Sequence, residues 1–356
     1  MDRSPHEIEL VDAAAPKPGA MVELAPGVFW LRFELPLGFD HVNAWALADD
    51  DGWTLVDCGL DTPEVRAAWE ALLSGPLAGR RVRRVVNTHA HPDHLGIAGE
   101  LTRRTGAVFC TTLGEWLHGR VRHLEATAGS SPSARAFLHH HGVAPLTIDL
   151  LDRQPVDMSA FHRALPPYEF YRLSDHESLK IGGSRWQAII GTGHSPEHMA
   201  LFNDERRVLI AGDEVLERIT PIIGVWPNEP EANPLQAYFR SLERFHRLPA
   251  DTMVLPSHGR PFRGLQARVQ ATAEHHRNRL KRMHDLIGEP DSAASVAAQV
   301  FPRAAERGHV RLALAETIAH LQWLTTEGLA ERSGSPGDVR RYRACAPWDD
   351  VRVPRP

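Results

Sequence analysis

Short apolar runs alternate with polar turn residues first between Val28 and Asp57: Val28–Phe33, Val42–Ala48 and Trp53–Val56, the last entered through the acidic turn Asp49-Asp50-Asp51-Gly52. Short apolar runs broken by turn residues predict an antiparallel meander. A helical spacing follows from Thr62 to Leu73, with Asp61 or Thr62 as N-cap, and Arg83–Val86 predicts a strand. That strand delivers the chain into Thr88-His89-Ala90-His91-Pro92-Asp93-His94. A helix over about Leu95–Thr105 and a strand at Val108–Thr111 come next, and this alternation predicts an α/β sandwich. From about Leu113 to Tyr171 the rhythm breaks into helical patches, the run His139-His140-His141 and the aromatic cluster Tyr168, Phe170, Tyr171, which reads as a cap or insertion near a site.

Strands return at Ser184–Ile190, Ala200–Phe202, Arg207–Ala211 and Thr252–Leu255. Beyond Arg263 the pattern is helical, with Leu265–Ile287, Ser292–Val300 and Val310–Glu327, then a possible hairpin within Leu329–Tyr342. Three helices and a hairpin describe a winged-helix module. No internal repeat and no low-complexity stretch is present.

The chemistry is concentrated where strands end. His89-x-His91-x-Asp93-His94 places four potential ligands within one turn, immediately after an apolar strand and just before Gly96. Imidazole nitrogens and carboxylate oxygens suit a divalent ion where no thiolates are offered. Alternate residues of a tight turn can direct two imidazoles at one ion while Asp93 and His94 face another. Three more strand-end residues complete the set: His194 in Gly191-Thr192-Gly193-His194-Ser195, Asp213 in Ala211-Gly212-Asp213, and His258 in Pro256-Ser257-His258-Gly259.

Composition sharpens this reading. The 356 residues include 21 histidines, and the formal net charge is only −5. Cys58, Cys110 and Cys345 are an odd number, far apart and without a CxxC pair, which fits a reducing compartment. The N-terminus lacks a basic start followed by an apolar stretch, and no run approaches a membrane span, so a cytoplasmic location and no membrane partner are expected.

The HxHxDH turn with later His, Asp and His resembles the metallo-β-lactamase-fold hydrolases over roughly Glu23–Arg263. The resemblance implies an αββα sandwich, a helical insertion at 113–171, and a C-terminal winged-helix-like domain at 264–345, flanked by an extension at 1–22 and a tail at 346–356. It further implies that His89, His91 and His194 hold one metal, that Asp93, His94 and His258 hold the other, and that Asp213 bridges them. Asp57, in Val56-Asp57-Cys58-Gly59, would orient a ligand histidine. Cys58 itself reads as a small packed residue. Asn43 also resembles a family position, where a backbone hydrogen bond would suffice.

Two divalent ions, Zn2+ first and iron or manganese as alternatives, would bring the pKa of a shared water from about 15.7 towards 7 and supply a metal-bound hydroxide. Asp93 or Asp213 could receive or relay a proton as the leaving group departs. With Asp213 present, the ligand set resembles the glyoxalase II, thioesterase and lactonase branch more than β-lactamases, which use a cysteine or leave out this aspartate. Diiron oxygen-reducing relatives, with a glutamate where His91 stands, fit less well.

The expected function is hydrolysis of a thioester, lactone or related ester, with a small molecule as substrate and a homodimer allowed. A phosphodiesterase or ribonuclease of the same fold is the alternative, and a winged-helix ligand-sensing regulator the alternative of another class. From Phe262 to Pro356 there are 15 basic and 11 acidic residues, a faint excess for a phosphate-binding face. Arg277, Arg279, Lys281 and Arg282 read as a solvated helix face. His139-His140-His141 does not read as a metal patch, because consecutive helical residues do not share a face. Glu197 and His198 lie near enough in sequence to line the site, or else Ser195 simply caps an element start with Glu197 exposed.

Overall fold

The computed structural model describes residues 7–36, 40–126, 131–153, 165–306, 308–335, 337–348, 353–354 and 356. The meander forms where alternation predicts it: β3 (Val28–Glu34), β4 (His41–Asp49) and β5 (Gly52–Val56) pair antiparallel, after the two short strands β1 (Glu9–Leu10) and β2 (Val22–Ala25). From β5 the sheet continues in parallel through β6 (Arg81–Val86), β7 (Val108–Thr111) and β8 (Tyr171–Arg172), giving the order β2-β3-β4-β5-β6-β7-β8. A second seven-stranded sheet has the order β1-β14-β13-β12-β11-β10-β9, built from β9 (Ser178–Ile181), β10 (Ser184–Gly191), β11 (His198–Asn203), β12 (Val208–Gly212), β13 (Met253–Pro256) and β14 (Phe262–Arg263) with β1.

Two cores explain the layering. One joins the sheets face to face through Trp30, Trp45 and Val56 from the first and Trp186, Leu201, Ile210 and Leu255 from the second. The other lies on the outer face of the first sheet, under α1 (Pro63–Ser74) and α3 (Ala98–Thr105). Helix α1 forms because Thr62 caps it, its hydroxyl accepting from Val65 N at 3.3 Å, and because Pro63 supplies a preset φ at the first turn. Its buried Val65, Ala68, Trp69 and Leu72 make one apolar stripe.

The helix expected from about Leu95 to Thr105 forms, starting three residues later at Ala98. A single turn, α2 (Pro92–Leu95), holds Asp93 and His94, and Gly96 separates it from α3. Gly96 stays between them for a steric reason: a Cβ there would lie 1.6 Å from the Gly59 carbonyl oxygen, so only glycine lets the turn that carries Asp93 and His94 approach the chain beyond β5 this closely.

By compactness the chain divides into two units, residues 1–127, 157–221 and 247–268 in the first and 128–156, 222–246 and 269–356 in the second. The stretch read as a cap is therefore shared out. Helix α4 (Leu113–Ala126) belongs to the first unit, and α5 (Pro132–His140) and α6 (Pro145–Arg153) group with the second.

The second unit also contains α7 (Pro234–His246), most of α8 (Leu265–Leu286), α9 (Ala293–Val300), α10 (Val310–Thr326) and the hairpin of β15 (Ala330–Ser333) and β16 (Arg341–Ala344). Trp323 is buried in this unit, with its indole N–H donating to Gln236 Oε1 at 2.9 Å. At the end of α5, His139 is exposed and His141 buried, so the three consecutive histidines diverge. Among the described residues no helix is long and apolar enough to cross a membrane.

Candidate metal centre

The turn after β6 is fixed by Asp57, the residue that follows β5 and takes a positive φ of 60°. Its Oδ1 accepts from Thr88 N at 2.8 Å and Asn87 Nδ2 at 3.2 Å, and its Oδ2 accepts from Thr88 Oγ1 and His94 Nδ1, both at 2.8 Å. With Thr88 Oγ1–H committed to Asp57, its oxygen accepts from His89 Nδ1 at 3.1 Å. Both His89 and His94 therefore carry their proton on Nδ1 and turn Nε2 inward.

The remaining candidates come from the second sheet. His194 follows β10 across Gly193, whose φ is 110°. Asp213 follows β12 across Gly212, at φ 55°, where a Cβ would meet the His198 ring at 2.4 Å. His258 follows β13, and its Nδ1 donates to His41 O at 2.9 Å, which turns its Nε2 inward too. Asn43 secures that last turn from β4: its Oδ1 accepts from Trp30 Nε1 at 2.8 Å, and its Nδ2 donates to Pro256 O at 2.8 Å and Gly259 O at 2.9 Å.

These strand ends bring all seven sequence-selected residues together. His89, His91, His194 and Asp213 form one group of potential ligand atoms, and Asp93, His94 and His258 form a second. Asp213 faces both. Its Oδ2 lies 3.4 Å from His194 Nε2 and 3.9 Å from His89 Nε2, while its Oδ1 lies 3.5 Å from His94 Nε2 and 3.6 Å from His258 Nε2. Asp93 Oδ2 is 3.4 Å from His258 Nε2 and 3.6 Å from His94 Nε2.

The family model of the metallo-beta-lactamase superfamily matches residues 37–258, more than half of the chain and all seven positions. The chain belongs to the metallo-beta-lactamase superfamily. A model of the metallo-beta-lactamase-like C-terminal domain matches residues 280–345. A beta-lactamase domain protein from Burkholderia ambifaria has a solved structure that is 36% identical, with a TM-score of 0.86 and coverage of 96% of this chain and 99% of that one. A metallo-beta-lactamase family protein from Thermus thermophilus is 31% identical, with a TM-score of 0.77 over 91% of this chain and 100% of that one. A probable metallo-hydrolase of Bacillus subtilis is 27% identical over 306 residues, 84% of this chain and 92% of that protein. This superfamily member is a metallo-hydrolase.

The donor set suits the metal dependence of the superfamily. His94 Nε2 and Asp213 Oδ1 are both buried, and neither has a hydrogen-bond partner among the described residues. Leaving such atoms unsatisfied costs about 1–3 kcal/mol each, a cost that a cation between them would remove.

Electrostatics agree. Burial works against a charge on His94, yet the carboxylates of Asp93, Asp213 and Asp57 carry its pKa up to about 10. Burial likewise opposes the charge on Asp213, but His258, His94 and His194 hold it well below the usual carboxylate range. His89 and His91 are pushed well down by burial and by the neighbouring imidazoles, and so present neutral nitrogens. The two carboxylates thus demand positive charge inside the cluster.

Two buried residues position this cluster: Glu115, which nothing in the sequence selects, and His198, which the sequence places near the site. Glu115, buried on α4, accepts from Ala90 N at 2.8 Å, Ser195 Oγ at 2.7 Å and Glu197 N at 2.8 Å, so one carboxylate ties the HxHxDH turn to the His194 turn. Burial raises its pKa against the pull of those donors. His198, buried at the start of β11, accepts from Asp213 N at 3.0 Å through Nε2, and burial pushes its pKa down to about 3. It is neutral and fixes the backbone of Asp213. Glu197 is half-buried, with its Oε2 accepting from Gly114 N at 2.8 Å.

Proposed function

We propose that the chain is a binuclear hydrolase of a thioester, lactone or related ester, in which His89, His91 and His194 hold one ion, Asp93, His94 and His258 the other, and Asp213 bridges them. The observation that carries this reading is the two-sided placement of the Asp213 carboxylate, one oxygen towards each group. The all-nitrogen and oxygen donor set favours Zn2+. When bound, two such ions lower the pKa of a shared water and polarise the electrophile. Asp57, His198, Asn43 and Glu115 hold the donors in place, and Asp93 or Asp213 would take up a proton and pass it to the departing group.

The helices and hairpin of the second unit fit a winged-helix module. A small-molecule substrate suits the faint charge excess of the C-terminal segment better than a nucleic acid does. Three free thiols, Cys58, Cys110 and Cys345, fit a reducing, cytoplasmic setting.

Metal analysis of the purified chain, with rates on one thioester, one lactone, one β-lactam and one phosphodiester, tests the reading. About two ions per chain and preference for the thioester or lactone are expected. Asp213→Ala should lose metal and turnover while keeping its fold. Full activity in that variant would sink the binuclear reading, and cleavage of the phosphodiester alone would replace the substrate class.

A further inference from the structure

Helix α4 presents Glu115, His118 and Arg122 at i, i+3 and i+7, on one face. Glu115 fixes where that face looks, because its carboxylate is bonded to Ala90 of one candidate ligand turn and to Ser195 and Glu197 beyond His194. The opposite side carries Leu117, Val121 and Leu124, all exposed. His118 and Arg122 therefore continue, one and two turns on, along the side of α4 that meets the metal centre.

Arg122 is half-buried and makes no hydrogen bond or ion pair among the described residues. Its neighbour Arg120 stacks instead on Trp116 and Tyr168, with 5.2 and 5.7 Å to the ring centres. A partly desolvated guanidinium that no carboxylate meets at hydrogen-bond distance keeps its donors open to an anion. Burial lowers the pKa of Arg122, with Asp93, Glu115 and Glu125 acting the other way, and Arg122 in turn adds to the depression of His91. Burial, Arg122 and His194 push His118 down to about 4, so it is a neutral hydrogen-bonding group beside the cation.

We propose that Arg122 and His118 form an anion subsite beside the metal centre, and that the substrate carries a carboxylate or phosphate group bound there. This rests on the reading of the histidine and aspartate cluster as a metal centre. The planar fork of a guanidinium matches two oxygens of either anion, whereas a lysine would offer only a point charge. The hydrolysed substrate is then an ester or thioester with an anionic arm, with its scissile group at the cluster and its arm along α4.

Calorimetric titration of the metal-loaded full chain with acetate, succinate, glutarate and phosphonoacetate tests this without requiring turnover. Acetate reports anion binding at the metals alone, and the others add a second anionic group. At least one of the three should bind about tenfold more tightly than acetate, and Arg122→Gln should reduce that ratio to about two or less. Arg120→Gln, on another face of the helix, should keep it. If no dianion exceeds acetate by more than about twofold, if Arg122→Gln keeps the preference, or if Arg120→Gln loses it equally, the subsite is overturned.

Thermal unfolding establishes that Arg122→Gln is folded. Should it not be, Arg122→Lys decides, with a fall of about threefold or more expected and an unchanged ratio overturning the proposal. A dianion preference in a protein that cleaves neither thioester nor lactone would leave the subsite standing and remove the proposed reaction.

Discussion

Asp57 and His94 are buried against each other, with the carboxylate Oδ2 accepting from the imidazole Nδ1 at 2.8 Å. The bond selects the His94 tautomer that directs Nε2 at Asp213. Removing a group that orients a metal-bound histidine in this way typically costs about 10–100-fold in metal affinity. Asp57→Ala should therefore retain metal far less well than the parent in dialysis against a chelator followed by elemental analysis. It should also unfold more easily, since Thr88 N–H loses its acceptor. Asp57→Asn keeps an oxygen and a residue type that tolerates the positive φ, and should fall between the two. Equal metal retention in all three proteins would remove the orienting role.

Glu115 predicts a second, separable effect. Its two oxygens accept from two backbone N–H groups and one hydroxyl, so Glu115→Gln must turn an amide N–H2 towards at least one donor. The expected loss is about 1–3 kcal/mol of stability. Because the two tied segments carry His89, His91 and His194, the proposed binuclear centre should lose metal first from that group and retain it longer at Asp93, His94 and His258. Cobalt substitution, read by visible absorption as the ions are titrated in, distinguishes stepwise loss from simultaneous loss; simultaneous loss would show Glu115 to be a general structural residue.

The contrast between these residues explains what the sequence could reveal. Each of His89, His194, Asp213 and His258 stands directly after an apolar strand in a short polar motif, so strand period and residue type suffice to select it. The sandwich follows from the same runs, because β4, β5 and β12 are short, almost wholly buried apolar runs bounded by turn residues. Glu115 gives no such signal. It is one acidic residue on an amphipathic helix, and its partners Ser195 and Glu197 lie some 80 residues away. His198 acquires its role only through the pairing Gly191↔His198 and the approach of Gly212 to its ring, which depend on sheet register. The helix begins at Ala98 and not at Leu95 for a related reason: the contact that keeps Gly96 outside it joins Gly96 to Gly59, distant in sequence and adjacent only once the chain beyond β5 meets the turn that carries Asp93 and His94.

The pH response should have opposite signs with and without metal. In the metal-free centre His94 titrates at about 10, and His258 is also raised, because the nearby carboxylates outweigh burial. A proton held more tightly by the folded than the unfolded chain contributes stability that is complete below about 6.5 and lost as pH rises towards 10. The depressed imidazoles of His89, His91 and His198 act below 6.5 and do not oppose this trend. Metal competes for the same nitrogens, so loading releases protons and affinity rises with pH. Between about pH 6.5 and 9, the melting temperature of the chelator-treated protein should fall, while chelator competition should show tighter metal binding. Proton release is read directly by calorimetry in buffers of different ionisation enthalpy; none would contradict the protonated state of His94.

Gly96 sets the tolerance of the whole centre. Cys58 N donates to His94 O at 2.9 Å, so the end of β5 and the ligand turn are joined by backbone, with Gly96 packed on Gly59 beside that bond. The Cβ of Gly96→Ala would sit 1.6 Å from the Gly59 oxygen and 3.0 Å from that of Pro92, and neither is the end of a flexible side chain. Relief requires the turn to move away from β5, which would stretch the Asp57–His94 bond and displace Asp93 and His94 together. The variant should lose on the order of 3 kcal/mol or more and bind metal poorly even under conditions where it folds. Gly106→Ala is the matched control: Gly106 has φ 68° but nothing within 4 Å of an added Cβ, so it should cost only about 1 kcal/mol and leave metal content unchanged. Comparable losses in both variants would mean that the contact with Gly59 is not what makes glycine necessary at position 96.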